Sequence, residues 1–191
     1  MKKETSKFLK SVSIRFKKRQ KRLLITKDAI PFFETFLKES IGNEVVVINT
    51  NIGLGVYYAS PKDYSNVIKK SVLVYALKYD NSEELIFLYD LNYDTLKINF
   101  SKALFTFANY PQLFLAYVKK FVHLRNQNSK SKIVMPELDN LYEQALKELY
   151  QKNKLPFAEK IMSIDGKFFK ERKDSILSIL AKKLNTKEHL N

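Results

Sequence analysis

The run Glu-Val-Val-Val-Ile at residues 44–48 limits the fold more sharply than any other stretch of the chain. Its four successive β-branched residues favour extended backbone, because branching at Cβ restricts χ1 in a helix and packs well on a pleated surface. They leave no polar face, so the run is read as a buried strand. Residues 49–53 then form a turn and residues 54–59 a second strand.

The flanking sequence predicts helices beside this sheet. Asp28 before Pro31 is a helix start; Ile30, Phe33, Phe36, Leu37 and Ile41 share one helical face, and Gly42 ends it. Ser-Pro-Lys-Asp at 60–63 opens a short helix that reaches about residue 70. Residues 72–79 and 85–91 read as two further strands, joined into a hairpin by the polar turn at 80–84, and residues 96–100 as a fifth strand. Beyond residue 100 the apolar spacing turns helical. Residues 102–125 form a helix broken at Asn109-Tyr110-Pro111, since proline cannot continue the backbone ladder. A polar loop at 126–132 precedes an amphipathic helix over 136–151, and residues 174–184 close the chain as another helix. Asp165-Gly166 reads equally as a type I′ hairpin turn or as a loop between helices.

The expected fold class is therefore α+β: a small, mainly antiparallel sheet with flanking helices, followed by a helix-rich C-terminal half. Three segments are expected: a basic N-terminal arm at 1–26, an α+β body running into a helical segment at 27–125, and a C-terminal helical subdomain at 133–186. The helix-rich stretch with a two-stranded element near its end resembles winged-helix DNA-binding modules in layout alone, and no site residue carries over from that resemblance.

Charge supplies the functional signal. The formal net charge is +14, and residues 1–27 alone hold eleven Lys or Arg against the single acid Glu4. Lysine excess can reflect coding bias on solvated faces, and this chain has 29 Lys to 5 Arg. Arginine separates the readings: Arg15, Arg19 and Arg22 cluster where a drift towards lysine would not place them. A guanidinium fork matches phosphate oxygens in pairs, as an ammonium cannot. Lys10, Arg15, Lys17, Lys18, Arg19, Lys21 and Arg22, with Lys119, Lys120 and Arg125 further on, are accordingly the candidate nucleic-acid-binding residues. The conformation of the arm stays open. Phe8, Val12 and Phe16 make a helical stripe, whereas Val12, Ile14 and Phe16 alternate as in a strand.

Several chemistries lack their residues. Without cysteine there are no disulfides, thiolate nucleophiles or sulfur-ligated zinc. His123 and His189, the only histidines, do not suit a Ser-His-Asp site or a metal triad. Gly53-Leu54-Gly55 begins like a dinucleotide fingerprint, but Tyr58 stands where the third glycine is needed, so the glycines are assigned to a hairpin turn. Glu84, Asp90 and Asp94 are the candidate carboxylates for a metal-dependent nuclease, although no acidic-x-Lys pair lies within the strand. The favoured reading is a non-catalytic protein that binds DNA or RNA through phosphate contacts and needs no cofactor or metal. The alternatives are that nuclease, or a peripheral membrane or scaffold protein whose arm meets anionic lipid. No transmembrane segment and no secretory signal are expected, which suits a cytoplasmic protein; a homo-oligomer is compatible with this sequence.

Overall fold

A computed structural model describes residues 8–18, 23–76 and 85–166. Strand β1 (Leu9–Phe16) is followed by helix α1 (Ile30–Ile41), strands β2 (Val45–Thr50) and β3 (Gly53–Ala59), helix α2 (Ser65–Tyr75), strand β4 (Leu85–Asp90) and four helices. These are α3 (Tyr93–Ala108), α4 (Pro111–Gln127), α5 (Val134–Gln151) and α6 (Ala158–Ile164). The architecture is α+β: a four-stranded antiparallel sheet of order β2-β3-β1-β4 with helices against it and a helix-rich C-terminal half.

Apolar cores cover both faces of the sheet around β2, as the β-branched run requires, while Leu88 and Tyr89 of β4 stay exposed. On one face Val12, Ile14, Phe16, Val45, Val47, Leu54, Val56 and Tyr58 meet Leu24 and Ile25, together with Phe33 and Leu37 of α1 and Ile68 and Val72 of α2. On the other, Leu9, Val46, Ile48 and Tyr57 join a larger core from α3 to α6. Aromatic rings link the layers of that second core: Tyr57 packs edge-on to Phe100 at 5.9 Å, Phe100 lies 6.4 Å from Phe121, and Phe121 stacks on Tyr142 at 4.2 Å.

Three local choices anchor these layers. Pro31 opens α1 in the first turn, where a missing N–H costs nothing, and Gly42 caps its end. Gly53 closes the β2–β3 hairpin against β1, and a Cβ there would stand 2.5 Å from the Ile14 carbonyl oxygen. Glu44 ties the sheet to α5. Its carboxylate accepts from Ser131 Oγ at 2.7 Å and from the N–H groups of Lys132, Ile133 and Val134 at 2.7, 3.0 and 3.0 Å. Burial pushes the Glu44 pKa up, but these hydrogen bonds outweigh it and hold the carboxyl below its ordinary value.

Four expectations change. Residues 9–16 are not part of an arm set apart from the body: β1 lies between β3 and β4, because its alternating apolar side chains fill one core. Residues 72–75 continue α2 instead of starting a strand, with Val72 on the buried face of that helix, so they form no hairpin with β4. Residues 96–100 belong to α3, whose start is set by Asn92, the side chain of which accepts from Thr95 N at 2.9 Å. Finally, the polar loop predicted at 126–132 starts later, because α4 runs to Gln127, and residues of α5 share one apolar cluster with α3, α4, β1 and β2. The break at Asn109-Tyr110 falls as expected, with Pro111 opening α4. Residues 174–184, and any strand after Asp165-Gly166, lie outside the described residues.

Candidate nucleic-acid interface

Side chains alternate along β1, and this sorts its basic residues. Lys10 shares the parity of Val12 and Ile14 and is only 8% exposed. Its Nζ donates to the carbonyl of Ser60 and, at 3.3 and 3.4 Å, to those of Pro61 and Lys62. Lys10 thus holds the loop that enters α2 and does not face outward. Arg15 has the opposite parity and is exposed, as are Lys17 and Lys18 just past the strand. Among the described residues none of these three takes part in an ion pair. Arg19, Lys21 and Arg22 lie outside the described residues.

The three candidates on α4, Lys119, Lys120 and Arg125, diverge in structure. Arg125 is enclosed: Nη1 and Nη2 donate to the two carboxylate oxygens of Asp165 at 2.7 and 3.0 Å, and Nη2 lies 2.6 Å from Asp139 Oδ1. Its guanidinium sits 5.7 and 5.6 Å from the centroids of the Phe121 and Tyr142 rings. Burial lowers its pKa, but the paired carboxylates outweigh that and raise it, so the group is a fixed cation locking α4 to α5 and to the end of α6. It is not presented to a polyanion.

Lys119 is exposed, and Lys120 lines a cavity of about 290 Å³ with Leu23, Lys27, Ile30 and Asn49. The cavity lies where β2 ends and the loop before α1 passes over it. Asn49 Nδ2 fastens that loop by donating to the Ile25 carbonyl at 2.7 Å. Glu34 on α1 has its pKa raised by burial, a shift that the nearby charges of Lys38 and Lys120 oppose. No carboxylate lies within ion-pair distance of Lys27 or Lys120 among the described residues. Arg15 approaches this end of the sheet from β1, its Cβ 3.4 Å from the position a Cβ on Gly53 would take. The structure therefore gathers Lys120 with Lys27 on one cavity, and puts Lys10 and Arg125 to structural use. Sequence reasoning missed Asn49 as a site residue, assigning it to a turn. The available signal was an amide directly following a wholly apolar strand.

Of the nuclease carboxylates, Asp90 is buried and accepts from Ser11 Oγ at 2.9 Å and Asn99 Nδ2 at 2.6 Å, fastening β4 to β1 and α3. Asp94 is exposed in the first turn of α3, and Glu84 lies outside the described residues. No group of three or more His, Asp or Glu side chains placed to hold a metal occurs among the described residues. Nor does any helix among them have the length and apolar character needed to cross a membrane. No protein-family model, curated protein or solved structure matches this chain significantly.

Proposed function

We propose that the chain is a non-catalytic, cytoplasmic nucleic-acid-binding protein that contacts the phosphate backbone through basic side chains at one end of its sheet. The observation that carries this reading is the exposure of Arg15, Lys17 and Lys18 at the end of β1 without ion-pair partners among the described residues. Arg19, Lys21 and Arg22 follow them directly in the chain, so the run of cations continues in the sequence. Unneutralised cations on a rigid element attract a polyanion and release its counterions on contact. Lys27, Lys119 and Lys120 extend the positive surface. Such contacts are indifferent to base sequence, because they engage phosphates and leave the base edges unread.

The test is replacement of Arg15, Arg19 and Arg22 together by Ala. Affinity for nucleic acid is expected to fall across unrelated sequences. Each neutralised duplex phosphate contributes about −0.9 to the slope of log K against log salt, so the slope should flatten by about 2–3. Unchanged affinity and slope in titrations over a range of salt would overturn the proposal. A preference for anionic vesicles over nucleic acid at near-physiological salt would turn the same cations into a lipid contact.

A further inference from the structure

The two edges of the sheet are finished differently. β2, at one edge, is closed off: Val45, Val46, Val47 and Ile48 are each at most 4% exposed, main chain included, where α1, α4 and α5 pack on it. β4, at the other edge, pairs only with β1 among the described residues. Every second residue of an antiparallel strand turns its N–H and C=O away from the neighbour, so β4 presents a row of main-chain donors and acceptors on its outer side. Leu88 and Tyr89 are 46% and 43% exposed, and Leu91 and Ile98 are exposed beyond the strand. Asn99, next to Ile98, donates to Asp90 and so holds that part of α3 at the end of β4. Natural sheets guard a free edge with lysine, proline or a bulge. β4, Leu-Ile-Phe-Leu-Tyr-Asp, has none of these. Its register with β1 runs unbroken from Leu85 to Asp90, and its one charge, Asp90, is buried against Ser11 and Asn99.

A second copy of the chain fits this edge. Two antiparallel copies of one strand, related by a two-fold axis, offer each other the same donors and acceptors, so both edges are met at once. The area agrees. At about 200 Å² for a large side chain, Leu88, Tyr89, Leu91 and Ile98 together expose roughly 400 Å² per copy, half of the roughly 800 Å² that each partner of a standard interface covers. The main chain of the strand edge adds to this, and the total suits a dimer of micromolar order, not an obligate one. We propose that β4 pairs with β4 of a second copy about a two-fold axis, joining two four-stranded sheets into one continuous sheet. This pairing does not depend on nucleic-acid binding.

Sedimentation velocity of the full chain without nucleic acid, from about 1 to 100 μM, should show a monomer passing into a dimer. The Leu88→Lys, Tyr89→Lys double variant sets like charges along the pairing and should weaken the dimer at least about tenfold, while its thermal melt by circular dichroism stays in place. A monomer throughout that range, or a dimer indifferent to the two lysines, overturns the proposal. Another segment of the same chain covering the edge would give that concentration-independent monomer. If the double variant melts early, Leu88→Cys decides instead. The chain has no cysteine, so a thiol-reactive linker can join only two copies. Paired strands lie about 4.8 Å apart, which brings the two introduced thiols within reach of a linker of about 10 Å. The control is Gln112→Cys, exposed on α4, which packs beside the opposite edge. Joined pairs that form much more readily through residue 88 than through residue 112 support the pairing, and equal or absent joining overturns it.

Discussion

Lys120 and Arg125 lie little more than one turn apart on α4, yet they meet opposite fates. Arg125 finds Asp139 and Asp165 and two aromatic rings, and its charge is consumed inside the bundle. Lys120 borders a cavity with a second lysine, Lys27, and with Asn49. In the first site the charges are paired, and they hold helices together. The second is open, and its unmet groups are the reason to look for function there. A cation's neighbours, and not its place in a charge count, decide whether it acts as structure or as surface.

The largest effect should come from breaking the closed site. Arg125→Ala leaves Asp139 and Asp165 buried without their counter-charge, and urea unfolding should show a loss of about 3–5 kcal/mol. Replacing all three residues by apolar ones of similar volume should cost much less, because no charge is then stranded. A small loss for the single variant would place Arg125 with Lys120 on the open side of the comparison.

Glu44 is the intermediate case, a carboxylate bonded by four donors but partly exposed. Glu44→Gln should cost about 1 kcal/mol at neutral pH, as for other charged groups at a helix N-terminus. Because folding depresses its pKa, the wild-type contribution is present above the ordinary value of 4.5 and is lost as pH falls through the lower folded value. The difference between wild type and variant should therefore shrink in acid. A difference that grew in acid would reverse the sign assigned to this carboxylate. The smallest effect belongs to the open site: Lys120→Gln should change stability by no more than about 0.5 kcal/mol in the same unfolding assay. A larger loss would mean that Lys120 is already spent within the fold.

Elements with strong local signals were legible before any coordinates. Pro31 and Gly42 bracket α1, the β-branched run becomes β2, and Pro111 marks the break between α3 and α4. The failures occur where local preference is ambiguous and packing decides. Residues 72–75 are β-prone, but Ile68 and Val72 recur at helical spacing against the sheet, and the helix prevails. Leu96 and Phe100 show the same i, i+4 spacing in α3, while Asn92 supplies the cap. At the site, Arg15, Lys17 and Lys18 stand exposed, whereas the inward course of Lys10 follows from spacing only under the strand reading of residues 9–16, and the enclosure of Arg125 does not follow from spacing at all. Both depend on partners distant in the chain: Lys10 on the loop at 60–62, Arg125 on Asp165.

The position of β1 within the sheet also sets an order of events during synthesis. Its partners are β3 and β4, and the register joins Leu9 to Ala59 and Ser11 to Asp90. A ribosome adding roughly 5–20 residues per second leaves this strand waiting for several seconds before both neighbours exist. During that interval its Val12, Ile14 and Phe16 have no sheet to enter, while β2 and β3 can already close their local hairpin. The sheet is completed only by contacts spanning dozens of residues, the kind of topology that folds slowly. At the end of that apolar stretch lie Arg15, Lys17 and Lys18, charges of the kind that oppose association between exposed strands.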